Sequence, residues 1–143
     1  MKKYLKIIGL LAISGIIAAL AVYKFVYNKP QPDYVKATPL FTLTAEELFR
    51  SYQSGEPSSK DFTGAVLQVK GTIHKVERTD EQIIAITVFD QGLFGDEGIR
   101  YSMLTEHQQK IQEIIPGQAI TIKGLCTGYN DTDVVMEKCS IIE

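Results

Sequence analysis

Two Cys and two His are the whole stock of soft and imidazole ligands in this 143-residue chain. Neither His74 nor His107 stands at ligand spacing from Cys126 or Cys139, so a Cys/His metal centre lacks a ligand set. No Cys lies near residue 20, which excludes a lipid-carrying N-terminal Cys. No Ser, Asp or Glu forms a recognisable catalytic motif around either His. The segment 90–98 lacks the alternating oxygens and terminal Glu of a calcium loop. Acidic residues are missing from 1–27, which hold four Lys. All 17 Asp and Glu therefore fall in 28–143, where 11 Lys and Arg leave a net charge of −6. That balance works against a nucleic-acid backbone, because affinity for phosphates comes mostly from Lys and Arg. No catalytic residue, metal or cofactor is expected. Composition is otherwise that of a foldable chain of one domain, 45% hydrophobic and 22% charged.

The first 27 residues are the one long apolar run. Lys2, Lys3 and Lys6 precede an uncharged stretch from Ile7 to Tyr23; Lys24, Phe25, Val26 and Tyr27 come next. With Lys24 snorkelling, residues 7–27 match the ~17–25 needed to cross a bilayer as a helix. Tyr4, Tyr23 and Tyr27 sit where amphipathic rings suit the headgroups. The run reads as an uncleaved signal anchor, being longer than the ~7–15 residue core of a cleavable signal. Cleavage after Ala21 is the competing reading, and a buried helix the third. The basic residues 1–6 point the N-terminus to the cytoplasm, and residues 28–143 to a periplasmic or extracellular space. Residues 28–40, with three Pro and no apolar periodicity, read as a tether.

From residue 41 the pattern is that of a folded domain, 41–143. Thr44 with Glu47 three residues on is a capping box, and Leu48, Phe49 and Tyr52 follow at helical spacing. Residues 62–76 alternate as one long strand with Gly71 at a bend. A second strand sets Ile84, Ile86 and Val88 against Ala85, Thr87 and Phe89, and a Gly-bearing loop 90–98 leads to a third at Ile99, Tyr101 and Met103. A helix over 105–115, a strand 120–129, a turn at 130–133 and a strand 134–142 complete the chain. A mainly β domain with five strands, a long bent first strand and a helix between strands three and four is the plan of a Greek-key OB-fold barrel. An SH3-like barrel and a cystatin-like sheet have similar strand counts.

Three segments carry a resemblance: Gly64-Ala-Val-Leu-Gln-Val-Lys-Gly-Thr-Ile73, then Pro116-Gly-Gln-Ala-Ile-Thr-Ile-Lys-Gly-Leu-Cys-Thr-Gly128, then Asp133-Val-Val-Met-Glu-Lys-Cys-Ser-Ile141. Over about residues 41–143 the chain resembles the tRNA-anti-like family of OB-fold proteins, in particular its small membrane-anchored and lipoprotein-like bacterial members. The resemblance implies the fold and no chemistry, and the chain departs from the lipoprotein members in lacking the lipid-acceptor Cys.

A hairpin turned at 130–133 would set Cys126 directly opposite Cys139, within reach of a disulfide worth ~3 kcal/mol in the chain-entropy model. Two buried thiols are the alternative. An OB fold binds on the outer face of its second and third strands and the adjoining turns. Here that face is expected to present Arg78, Thr87, Phe89, Arg100, Ser102 and Tyr129, too few aromatics and cations for base stacking in a basic groove. Leu93 and Phe94, an apolar pair in an acidic loop, either fold back or meet a partner. The reading is a binding module tethered to a bacterial inner membrane through residues 7–27, facing a protein, peptide or envelope component. Binding of single-stranded nucleic acid is the alternative.

Overall fold

The computed structural model describes residues 1–28 and 33–142. The chain divides into two compact units, one ending at residue 32 and the other beginning at residue 33. The first is α1 (Lys2–Val22), continued by a π-helical turn (Tyr23–Tyr27). This 26-residue helix contains an 18-residue stretch of mean hydropathy 2.4 and buries none of its side chains, so it is long and apolar enough to cross a membrane.

The second unit runs β1 (Phe41–Thr44), α2 (Ala45–Gln53), α3 (Ser59–Phe62), β2 (Val66–Thr72), β3 (Lys75–Arg78), β4 (Ile83–Gly92) and β5 (Gly95–Met103). A 3-10 turn (Thr105–His107), α4 (Gln108–Gln112), β6 (Ala119–Tyr129) and β7 (Asp133–Ile141) follow. One sheet of order β1-β2-β6-β7-β5-β4-β3 holds all the strands. This corrects the expectation of five strands closed into a barrel. The sheet has seven, and its ladder ends at β1 on one side and β3 on the other.

Two local causes raise the count. The expected long first strand breaks at Ile73 and His74, because their N–H groups go in different directions: Ile73 donates to the Gln118 carbonyl (3.1 Å), before β6, and His74 to Ile86 (2.9 Å), on β4. The short strand β1 also adds parallel to β2. The remaining pairings keep the OB-type path, with β5 parallel to β7 and β6 antiparallel to both β2 and β7. The expected helix over 105–115 is a 3-10 turn and five α-helical residues that bury Ile111.

Helix α2 follows from its sequence. The Thr44 hydroxyl accepts from the Glu47 N–H (3.2 Å), and the Glu47 carboxylate accepts from the Thr44 N–H (2.8 Å). Ala45, Leu48 and Phe49 point inward, and full burial of Leu48 and Phe49 is worth ~1.5–3 kcal/mol each. The first turn lies so close to β2 that a Cβ on Gly71 would stand 2.6 Å from the Ala45 Cβ. Gly71 therefore serves the helix contact, and the strand breaks two residues later.

The core takes Ile83, Ala85, Ile99 and Tyr101 from β4 and β5, and Met136 and Cys139 from β7. Tyr101 is fully buried, opposite Ala85 in register, and its hydroxyl meets Thr87. The bulk of that ring is why the inner face of β4 carries the smaller Ala85 and Thr87 between Ile83 and Phe89.

The Cys126–Cys139 disulfide is corrected: both thiols are free and buried. The turn pairs Tyr129 with Val134, and irregularities at residues 123–125 and 126–128 leave Cys126 opposite Met136. Cys139 instead lies over Gly124, its Sγ 2.6 Å from where a Cβ there would be. Of the expected tether 28–40, residues 29–32 lie outside the described residues. Residues 33–40 lie against the sheet, where buried Lys123 donates to the carbonyls of Val35 and Ala37 and the Leu40 N–H reaches Val66 (2.8 Å).

Candidate functional site

The outer face of β3, β4 and β5 is a cross-strand ladder. Lys75, Ile86 and Arg100 stand in one row and Glu77, Ile84 and Ser102 in the next. Ile86, flanked by two long cationic stems, is only 3% exposed, yet it lies apart from the core cluster. Beyond this row β4 and β5 join through a two-residue tip, Leu93 and Phe94, 97% and 93% exposed. Gly95 closes the tip at φ +125°, a backbone that favours glycine. Between this hairpin and the β6–β7 turn lies a groove of about 320 Å³, lined by Lys75, Glu77, Ile86, Phe94, Arg100 and Asp133 among others.

The β6–β7 turn is built by Asn130, whose side-chain oxygen accepts from the N–H groups of Thr132 (3.1 Å) and Asp133 (2.7 Å). It delivers the Asp133 carboxylate, 8% exposed, to β5. There the carboxylate accepts from the Gly98 N–H (3.1 Å) and from Arg100 Nε (2.8 Å). Arg100 also donates through its terminal nitrogen to Glu77 (3.2 Å), and Lys75 pairs with Asp96. The bond from Asp133 raises the Arg100 pKa further, and the Lys75 bond holds Asp96 below the usual carboxylate range. Each cation in the groove is thus already matched, two cations to three carboxylates. Negative charge also gathers behind the turn. The Tyr129 phenol is pushed up first by burial, then by Glu97, Asp131 and Asp133.

The six residues expected on this face are divided by the fold. Arg100 and Ser102 lie on it. Thr87 is buried, its hydroxyl donating to the Thr72 carbonyl (2.9 Å), and Phe89 turns inward onto Phe49 at 5.2 Å. Tyr129 stacks on Tyr52 (5.8 Å) and donates to the Asp131 carbonyl (3.0 Å). Arg78 is exposed at the end of β3, in register with inward Ile83. Lys75, Glu77, Ile86, Asp96 and Asp133 also line or border the groove, beyond the six expected residues; of its surroundings the sequence pattern marks only the apolar pair Leu93 and Phe94 and the turn at 130–133. His74 is held locally, its Nδ1 accepting from the Val88 N–H (3.0 Å). Among the described residues no three His, Cys, Asp or Glu side chains gather where a metal ion could be held.

Among solved structures, the chain is similar to a candidate nucleic acid-binding lipoprotein from Klebsiella pneumoniae, at 14% identity and TM-score 0.54, over 80% of this chain and 100% of that one. It also matches asparaginyl-tRNA synthetase from Pyrococcus horikoshii at 13% identity and TM-score 0.39, over 58% of this chain and 20% of the synthetase. No curated protein matches. The first likeness shows a shared fold. The tRNA_anti-like family profile matches residues 1–141, the apolar helix included, and the chain therefore belongs to the tRNA_anti-like family.

Proposed function

We propose that this protein is a membrane-tethered binding module and not an enzyme, with residues 1–6 cytoplasmic, 7–27 spanning the inner membrane, and the sheet unit outside the cytoplasm. Its binding surface is the outer face of β3, β4 and β5. The observation that carries this reading is the apolar helix Lys2–Tyr27, none of it buried, on the same chain as a groove whose wall is a fully presented Phe94. The three Lys before the span against Lys24 and Lys29 after it support the orientation. A Leu93→Cys variant tests it, because Cys126 and Cys139 are inaccessible in the folded state. A membrane-impermeant maleimide should label that variant in intact cells and leave the parent chain unlabelled. Labelling only after lysis would refute the orientation.

A second reading, binding of single-stranded nucleic acid, is favoured by the family and by the description of the Klebsiella relative. The charge of the groove weighs against it, since no cation there lacks a carboxylate partner. Salt-sensitive retention of an oligothymidylate at ~50 mM salt would favour this second reading, and no retention would dismiss it.

A further inference from the structure

We infer that the outer face of β3, β4 and β5 takes an extended basic peptide segment, with an aliphatic or aromatic side chain beside Phe94 and a Lys or Arg among Glu77, Asp96 and Asp133. This rests on the reading of that face as the binding surface and names what it binds.

Charge selects the class of ligand. An anion arriving in the groove meets Arg100 already held by Asp133 and Glu77, and Lys75 already held by Asp96, so it must displace a carboxylate to gain a cation. A cation meets the opposite situation. Each of the three carboxylates accepts at about four lone-pair sites, together more than Lys75, Arg100, Gln91, Thr132 and the Gly98 N–H fill. At the β3–β4 turn Asp80 and Glu81 outnumber the neighbouring exposed Arg78, and Asp131 adds the same sign at the β6–β7 turn. Approach of a basic segment is therefore steered, and that of a nucleic-acid strand opposed.

Shape selects an extended segment. The face is a ladder of three strands, and an extended peptide can lie across it between the Leu93–Phe94 tip and the β6–β7 turn. Its side chains then fall on alternate sides. Phe94, at 93% exposure, offers an apolar wall and a ring face that also attracts a cation. Ile86 is the floor and Thr132, with Asp133, the far wall. Asp133 acts as a positioning residue, holding Arg100 through its Nε (2.8 Å).

The test is fluorescence anisotropy on the full chain in non-ionic detergent, with three probes: an alternating Arg–Leu peptide, its Glu–Leu counterpart and an oligothymidylate. The Arg–Leu peptide should bind, and salt should weaken it. Glu77→Gln with Asp96→Asn, and separately Phe94→Ser, should each weaken it about tenfold. A control removing two exposed acids elsewhere, Asp61→Asn with Glu113→Gln, should leave it within about twofold. Equal loss in the control, or no loss in the face variants, would overturn the inference. So would tighter binding of the oligothymidylate than of the peptide. If the Arg–Leu peptide fails while Phe94→Ser weakens either other probe, the inference falls and the face stands as a binding surface. If no face substitution moves any probe, both fall.

Discussion

Raising the pH from about 7.5 to about 10 should destabilise the sheet unit, because two thiols that ionise in an unfolded chain stay protonated in the folded one. Cys139 is wholly buried beneath the sheet, and burial pushes its pKa far up; nearby Cys126 and Glu137 add to the rise. Burial also raises Cys126, against hydrogen bonds from Tyr52 and the Gly128 backbone. For a group whose folded pKa lies above its unfolded value, stability is complete below the unfolded pKa and is lost as pH rises toward the folded one. The loss therefore begins near pH ~8.5, with a slope of about 1.4 kcal/mol per pH unit for each thiol. By about pH 10 Cys139 alone costs about 2 kcal/mol, and the two thiols together at most about 4, against a typical total of about 5–15. The assay is the urea midpoint of the full chain in detergent, read by pulse proteolysis under reducing conditions across this range. Cys139→Ala should lower the midpoint at neutral pH, since it empties a filled site, and should flatten the alkaline slope by about half. A slope unchanged in Cys139→Ala would refute the reasoning. A Cys126–Cys139 bridge would make the parent curve flat through pH 9 before reduction.

Three further substitutions test the fold that carries the site. Gly98→Ala should cost about 3 kcal/mol or more, because its Cβ would stand 1.8 Å from the Thr87 carbonyl oxygen; the urea midpoint reports it. Thr44→Ala should cost ~1 kcal/mol by the same measurement, the usual value of a lost N-cap. Lys123→Met removes the two bonds to Val35 and Ala37, and the amides of residues 35–40 should then exchange about tenfold faster by hydrogen exchange, with the β6–β7 amides little changed.

The features legible in the sequence were those decided within one turn or one run. The apolar helix could be read because an uncharged stretch as long as Ile7–Tyr23 has few other uses, and α2 because Thr44 and Glu47 complete each other three residues apart. The positions of the later strands were readable for the same reason. Which side of a strand faces inward was not. On β4, the larger apolar residues Ile84, Ile86 and Val88 suggest the buried set, yet Ala85 and Thr87 are inside, because Tyr101 on the neighbouring strand needs the room. A side-chain period of two turns that one-residue difference into a change of face for every residue. Thr87 and Phe89 lie off the outer face for this reason, while Ile86 lies on it; Arg100 and Ser102 lie on that face as the alternation of β5 leads one to expect.

The cysteines show the same limit in register. A turn at 130–133 was correctly expected, but counting back from it in step assumes that no residue is added to either strand. Here β6 and β7 slip twice, and Lys138 adopts φ +53°, a conformation that costs a non-glycine residue energy and that only the surrounding ladder maintains. The result places Cys139 over Gly124, the one kind of residue that leaves space for its sulfur. Gly124 therefore explains why the thiol is packed and not bridged. A side chain at that position would contest the site, since an added Cβ would also stand 3.0 Å from the Glu137 carbonyl oxygen. The delivery of Asp133 to Arg100 rests on a different pairing, the parallel register of β5 and β7 that sets Gly98 opposite Asp133. A parallel pairing between strands distant in sequence, which no local periodicity announces, thus places the buried carboxylate on which the charge of the groove depends.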